Sequence, residues 1–308
     1  MNQKQAPDQS PDHYKDFKSG MVAIVGTPNA GKSTLLNFLL GQKISITSKK
    51  PQTTRNRILG VLDRPKAQMI FLDTPGVHRA GKLLNQRIVD VALSTLADTD
   101  LVLVMMDAAS PQTDAESYLI EKLKEHRTRS ILALNKIDLV PKPTLLAQIA
   151  QWSQAHAFEA VVPISALKGT QVDVLIDAMV RALPNGAPLY PPGSLTDLTE
   201  RFIAGEMIRE KVFRLTGEEV PYAAAVTIDS YSEEKQGHLV KIHATIHLER
   251  DSQKAIVIGK GGRKLKEIGE AARLEIERMV GCRVYLNLFV RVQKNWTRDE
   301  KALQRFGY

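Results

Sequence analysis

Residues 21–37 read MVAIVGTPNAGKSTLLN, and the fold is decided there. The run 21–25 is short and wholly apolar, the pattern of a strand buried on both faces. Gly26-x-x-x-x-Gly31-Lys32-Ser33 follows at once, and a helical pattern occupies 34–40. Strand, glycine loop and helix in that order make a phosphate-binding loop. The backbone from Gly26 through Thr27, Pro28, Asn29, Ala30 and Gly31, with Lys32, Ser33 and Thr34 opening the helix, wraps a single anion. Lys32 brings a mobile point charge to the β- and γ-phosphates, and the Ser33 hydroxyl is placed to ligate Mg²⁺.

Downstream, two apolar stretches at 58–62 and 68–72 flank Asp63-Arg64-Pro65-Lys66-Ala67, which predicts a β-hairpin. Its second strand runs into Asp73-Thr74-Pro75-Gly76. An acid at the carboxyl end of a buried strand holds Mg²⁺, and a glycine three residues later offers its N–H to a γ-phosphate. Three more buried strands are predicted at 101–106, 130–134 and 161–164, with helices at 83–96, 113–126, 144–156 and 172–183. Strands alternating with helices imply a mostly parallel sheet covered on both faces, with ligands at the strands' carboxyl ends.

Two of those ends carry base-reading chemistry. Asn135-Lys136-Ile137-Asp138 closes the strand 130–134. A carboxylate such as Asp138 accepts from both N1–H and the exocyclic amine of guanine, a donor pair that adenine lacks. The Lys136 stem can cover the base while Asn135 braces neighbouring loops. Ser165-Ala166 follows 161–164 and offers a backbone N–H to guanine O6. The ligand expected is GTP or GDP.

At this point the sequence resembles translation-factor-type GTPases. It carries GTPNAGKS, a threonine switch at Thr53-Thr54, DTPG, NKID and ISA. The segment 41–57, GQKISITSKKPQTTRNR, has the Q-T-T-R form of the Era family of bacterial ribosome-assembly GTPases. That resemblance implies that Thr54, or else Thr53, closes on Mg²⁺ beside Ser33 and Asp73. Lys32, Thr54, Asp73 and Gly76 are then the residues serving hydrolysis. Small signalling GTPases place a glutamine after the D-x-x-G glycine to orient water, but here Val77 stands at that position. Slow intrinsic turnover is expected. Asn29 occupies the position where some related GTPases ligate K⁺, and a loop residue bracing its own backbone is an equal reading. His78 reads as a solvated loop histidine rather than a base.

Residues 183–194, LPNGAPLYPPGS, hold four prolines and two glycines and read as a stiff connector. Beyond it an amphipathic helix is predicted at 197–215, capped by Thr196 or Asp197, then strands at 223–231 and 238–248. His243 and His247 share one face of the second strand, taken as solvent-facing. The segment 254–266, KAIVIGKGGRKLK, joins an apolar stretch, a glycine loop and a basic helix over 263–280. A G-x-x-G loop between helices lets nucleic-acid backbone approach closely, the signature of a KH domain. Lys254, Lys260, Arg263, Lys264 and Lys266 are five cations in that window, which holds no acid. With Gly259, Gly261 and Gly262 they form the candidate RNA contact. Helix–strand–strand–helix–loop–helix–strand, ending at 284–292, fits a type II KH arrangement.

The expected architecture is therefore an α/β P-loop GTPase domain at 20–183, a proline-rich linker at 184–195 and an α+β KH domain at 196–308. Residues 1–19 are expected to be a disordered tail. The end, 296–308, also resembles the family's terminal helix. The resemblance implies contact with the 3′ end region of 16S ribosomal RNA and the 30S subunit, and peripheral membrane association as well. The net charge of +8 divides into +5 over 1–194 (22 basic, 17 acidic) and +3 over 195–308 (20 basic, 17 acidic). Polyanion contact must therefore come from local placement. One cysteine, Cys282, excludes an intrachain disulfide framework and is taken as a small core residue. With no apolar run of membrane-spanning length and no hydrophobic leader, a monomeric cytoplasmic protein is expected. Two other readings are a GTPase acting in tRNA modification and a signalling GTPase with an adaptor domain. The first needs a catalytic domain this chain does not contain; the G-x-x-G loop argues against the second.

Overall fold

A computed structural model describes residues 14–48, 50, 53–76, 99–111, 113–126, 128–217, 219–234 and 237–307. The expected helix at 83–96, together with Val77 and His78, lies outside the described residues, as do residues 1–13 of the expected tail. The tail does not extend through 19. Lys18 and Ser19 open the first strand, β1 (Lys18–Gly26), and the Ser19 N–H donates to Pro184 O at 3.2 Å.

Six strands form the first sheet: β1, β2 (Ile58–Arg64), β3 (Ala67–Asp73), β4 (Leu101–Asp107), β5 (Ser130–Asn135) and β6 (Ala160–Pro163). Their order is β2-β3-β1-β4-β5-β6, and only β2 runs antiparallel to its neighbour. The two-residue strand period explains why both faces are covered. Val22 and Ile24 point to the side packed by α1 (Lys32–Leu40) and by the helix that follows β6. Ala23 and Val25 point to the opposite side, beneath α2 (Thr113–His126) and α3 (Lys142–Ala155). The helix α4 (Val172–Ala182) completes the first face through Leu175 and Met179.

The proline-rich connector is not a free spacer. It lies along β2, the sheet's edge: Val61 N donates to Leu195 O (2.8 Å), Thr196 Oγ1 to Leu59 O (2.5 Å) and Gly193 N to Asp63 Oδ2 (2.8 Å). The Gln68 side chain accepts from Leu189 and Tyr190 N–H at 2.7 and 2.8 Å. Thr196 is thus engaged in the edge, and the helix cap falls to Thr199, whose hydroxyl accepts from Phe202 N. An exposed edge strand is a pairing hazard, and this strap covers it.

The second sheet has three strands: β7 (Ala225–Glu234), β8 (Leu239–Leu248) and β9 (Arg283–Val292). β7 and β8 are antiparallel, β8 and β9 parallel. Before β7 lies α5 (Glu200–Leu215). Between β8 and β9 run α6 (Asp251–Ile258) and α7 (Arg263–Val280), joined by the glycine loop. The buried positions of α5 run unbroken from Ile203 to Phe213, including Glu206, Arg209, Glu210 and Lys211. An amphipathic helix with a wet charged face was expected; instead, that face is covered by the first unit.

Trp296 and the short α8 (Glu300–Arg305) close the outer end of the second sheet. There Phe306 stacks on His247 with ring centroids 4.5 Å apart. The imidazole is bonded to Thr227 Oγ1 (2.9 Å) and only 7% exposed, so this end of β8 does not face solvent, and that burial pushes its pKa down to about 4. Cys282 is half-buried in the turn after α7, packed against the edge of the core. Among the described residues no helix is long and apolar enough to cross a membrane, and no cluster of three or more His, Cys, Asp or Glu is arranged for a metal.

Candidate nucleotide site and nucleic-acid interface

The phosphate loop begins where β1 ends. Gly31 adopts φ 99°, and a Cβ there would meet Asn135 Nδ2 at 2.2 Å, so only glycine fits between the loop and β5. As N-cap of α1 it contributes no side-chain cap, leaving the helix's first N–H groups for an anion. Lys32 is buried, and its Nζ donates to Gly26 O (3.1 Å) and Thr27 O (3.0 Å). Phosphate oxygens in the cavity would draw the ammonium outward from those carbonyls. Burial lowers the Lys32 pKa to about 8, against the pull of Asp73.

Beside it, Ser33 Oγ donates to Asp73 Oδ2 at 2.7 Å and lies 2.8 Å from Thr54 Oγ1. Ser45 Oγ reaches the same carboxylate oxygen at 2.8 Å. Asp73 Oδ1 is buried without a hydrogen-bond partner. Burial raises this carboxyl's pKa, opposed by Ser33, Lys32 and Ser45. The Ser33 and Thr54 hydroxyls and the Asp73 carboxylate, whose Oδ1 is the orphaned oxygen, form an all-oxygen donor set of the kind Mg²⁺ takes. Thr53 is turned elsewhere, its hydroxyl donating to Lys50 O at 2.8 Å.

Lys32, Ser33 and Thr54 open onto one cavity of about 680 Å³, with Asp73 and Ser45 buried behind them. Pro28, Asn29, Gly31, Lys32, Ser33, Thr34, Thr54, Gly76, Asn135, Lys136, Asp138 and Ser165 all reach it. Gly26, Thr27, Ala30, Asp73, Thr74, Pro75 and Ala166 do not. Thr74 Oγ1 donates to Ile24 O at 2.8 Å, tying the Asp73 turn to β1. Asn135 braces two loops, donating to Ala30 O (2.7 Å) and accepting from Ala166 N (2.9 Å). Both backbone N–H groups of the Ser165-Ala166 pair expected to offer one to guanine O6 are engaged here, that of Ala166 with Asn135 and that of Ser165 with Thr170 O (3.1 Å). The Ser165 hydroxyl, foremost, and Lys168 at 3.5 Å hold Asp138 below the usual carboxylate range.

The sequence reading missed two walls of the cavity. Leu167 and Leu139 face its base end, and Phe213 and Arg214 reach it from α5. No local motif marks Phe213 or Arg214, because their placement depends on how the two units dock.

That docking runs through the switch segment 41–57. Lys43 Nζ pairs with Glu210 (2.5 Å) and with Glu275 of α7, which also pairs with Lys211. Burial pulls the Glu275 pKa upward, but the bonds from Lys211 and Lys43 outweigh it and hold it below its ordinary value. Glu275 thus strengthens docking above the carboxylate range and loses that effect as pH falls through it. Lys50 donates to Phe213 O and Thr216 O at 2.7 and 2.6 Å. Arg209 donates to Thr53 O (2.6 Å), next to the Thr54 hydroxyl. Arg55 is buried, donating to the carbonyls of Ala224, Pro221 and Tyr222 (2.9–3.1 Å) with Phe213 and Trp296 rings 5.8 and 5.9 Å away.

The glycine loop is built differently. Gly259, Gly261 and Gly262 adopt φ 69°, 62° and 78°, and a Cβ on Gly259 would meet Lys264 Cβ at 2.7 Å. Lys260, Arg263 and Lys266 are exposed, Lys254 and Lys264 half-exposed. The window 254–266 holds no acid, yet the fold supplies two from the next turns. Lys264 pairs with Glu267 (2.8 Å) and Lys266 approaches Glu270 (3.9 Å), leaving Lys254, Lys260 and Arg263 as the cations outside these pairs.

Comparison with known proteins matches this geometry. Residues 21–136 match the family model "50S ribosome-binding GTPase", and residues 219–297 match "KH domain". The GTPase Era of Geobacter metallireducens is 51% identical over 292 residues, spanning 95% of this chain and 98% of that protein. The chain belongs to the Era family of GTPases. Geotalea uraniireducens Era is 50% identical over 96% of this chain and 99% of its own length. Among solved structures, a single-substitution variant of Aquifex aeolicus Era bound to GDP·AlF4⁻ superposes with a TM-score of 0.90 at 42% identity, covering 95% and 99% of the two chains. An Era bound to MgGDPNP and nucleotides 1506–1542 of 16S ribosomal RNA superposes at 0.91, again 42% identical with 95% and 99% covered. The Era-family fold of a P-loop GTPase unit followed by a KH unit is thus that of this chain.

Proposed function

We propose that this protein is a GTP-hydrolysing switch that holds the 3′ end region of 16S ribosomal RNA on its KH loop and assists 30S subunit assembly. The observation that carries this reading is the switch segment itself. Its Thr54 hydroxyl sits 2.8 Å from Ser33 in the phosphate site, while Arg209 of the second unit grips the adjoining Thr53 carbonyl. A relative of 42% identity binds a GTP analogue and that RNA together. A change at the γ-phosphate therefore has a short physical route to the RNA-binding unit.

On this reading the nucleotide unit runs from Lys18, where β1 opens, to 183, with 184–195 the strap and 196–308 the RNA unit. Ser33, Thr54 and Asp73 hold Mg²⁺, which supplies charge neutralisation at the β- and γ-phosphates. Lys32 follows the phosphates, Gly76 offers its N–H to the γ-phosphate, and Asp138 reads guanine. Lys254, Lys260 and Arg263 meet RNA phosphates beside the glycines. Asn29, in the left-handed conformation at φ 63°, is the residue through which K⁺ would act. The place of action is the cytoplasm, where small-subunit RNA is assembled.

Filter binding with a 3′-terminal fragment of 16S ribosomal RNA, with a GTP analogue and Mg²⁺ present, tests the reading. Tight binding of that fragment over a scrambled sequence of equal length is expected. Equal binding of both would refute the assignment of this RNA.

A further inference from the structure

Asp107 belongs to none of the nucleotide motifs, yet it stands directly behind one of them. It is the last residue of β4, 5% exposed and paired in the sheet with Asn135. One carboxylate oxygen accepts from Lys136 Nζ at 2.5 Å, the other from Ala109 N at 3.0 Å. Lys136 follows Asn135 in the left-handed conformation, φ 66°, and its side chain lines the cavity where Asp107 does not. A lysine stem is flexible and loses much rotamer freedom when a ligand orders it. A buried carboxylate that already holds the ammonium removes that loss beforehand. At the same base end of the cavity Leu167 stands 77% exposed, a large apolar side chain packed on little of the protein.

The geometry points to Asp107 as a positioning residue for guanine recognition. Its carboxylate fixes Lys136 Nζ, so that the lysine stem forms one standing wall of a base slot whose other apolar wall is Leu167. Asp138 supplies the hydrogen bonds that select guanine; Asp107 makes the slot rigid before the base arrives. The inference rests on the guanine site already described and adds a residue that touches no nucleotide atom.

Nucleotide titrations on four proteins test it: wild type, Asp107→Asn, Lys136→Met and the double variant. Lys136→Met keeps an apolar stem and removes the anchored ammonium. The expectation is that Asp107→Asn weakens GDP and GTP by the same factor, about tenfold, because the γ-phosphate lies at the far end of the site. In the Lys136→Met background the same substitution is expected to cost nothing further, since its effect runs through the ammonium. Asp107→Glu, which keeps the charge, is expected to recover part of the affinity and serves as the folded reference if Asp107→Asn is unstable. An equal loss in both backgrounds would make Asp107 a fold residue and overturn the inference, as would unchanged affinity in Asp107→Asn. Loss of guanine binding in wild type itself would instead defeat the underlying site.

Discussion

The phosphate loop and the KH loop are both glycine-rich turns ahead of a helix, and both meet phosphates, yet they are built on opposite terms. In the first, Lys32 and Asp73 are buried and already bonded within the protein. In the second, Gly261 and Gly262 stand in open space and Lys260 is exposed. The first site has its donors in place before the ligand arrives, so an arriving nucleotide displaces protein bonds. The second offers charge and room and relies on counterion release from the RNA. Burial makes a site selective, and exposure makes one salt-sensitive.

The largest effect expected from this contrast is at Asp138. Asp138→Asn replaces an acceptor pair with one acceptor and one donor, and a buried guanine N–H then loses its partner. GTP affinity should fall about 10²–10⁴-fold, with xanthosine nucleotides gaining. Calorimetric titration with both nucleotides checks this; unchanged GTP affinity would remove the guanine assignment.

Next is the double substitution Lys260→Asp and Gly261→Asp. A Cβ at 261 meets nothing within 4 Å, and aspartate tolerates the left-handed backbone, so the fold should persist. Single-stranded RNA affinity should drop roughly 10²-fold at moderate salt, while GTP affinity stays unchanged. Filter binding beside a nucleotide titration separates the two outcomes, and normal RNA binding by the folded variant would reduce the loop to a structural turn.

A smaller effect follows from the lowered pKa of Lys32. In the free protein it is about 8. Phosphates favour the ammonium and raise that value, so binding takes up a proton above pH 8. Affinity should be flat below that point and fall by up to about tenfold per pH unit above it. Calorimetry in buffers of different ionisation enthalpy reads the proton uptake directly; none at pH 9 would contradict the burial of a titrating lysine.

Smallest is the cation effect. Turnover in KCl is expected to exceed that in NaCl at matched ionic strength by a few-fold, with Asn29→Ala abolishing the difference. Equal rates in the two salts would remove K⁺ from the mechanism.

What could be read from the sequence follows the same division between local and distant causes. The nucleotide motifs are contiguous, and each follows a strand, so spacing alone placed Lys32, Asp73, Asn135 and Asp138 around one site. The helix at 263–280 was legible because apolar period and glycine boundaries agree on it. The docking was not legible. Lys43 meets Glu210 and Glu275 across 167 and 232 residues, and nothing local distinguishes those charges from a solvated helix face. The same holds for the strap, since proline content describes stiffness and does not reveal that residues 189–196 lie along β2. Asp107 was passed over because a lone acid after an apolar run has no partner until the sheet sets it beside Lys136. His247 was read from strand alternation, which does not show that Phe306 covers it.

Central to the proposed function is that the switch segment makes one system of the two sites. Reciprocal coupling of typical size, about 1–3 kcal/mol, would change affinity roughly 5–150-fold between nucleotide states. The direct measurement is the affinity of the wild-type protein for the 3′-terminal 16S RNA fragment, saturated first with a GTP analogue and Mg²⁺ and then with GDP and Mg²⁺. Affinities that differ within that range are expected, with a smaller difference in Glu275→Gln, where the bonds to Lys43 and Lys211 are weakened. Identical affinities in the two nucleotide states would show that the bonds between the units are packing alone, and would contradict the switch.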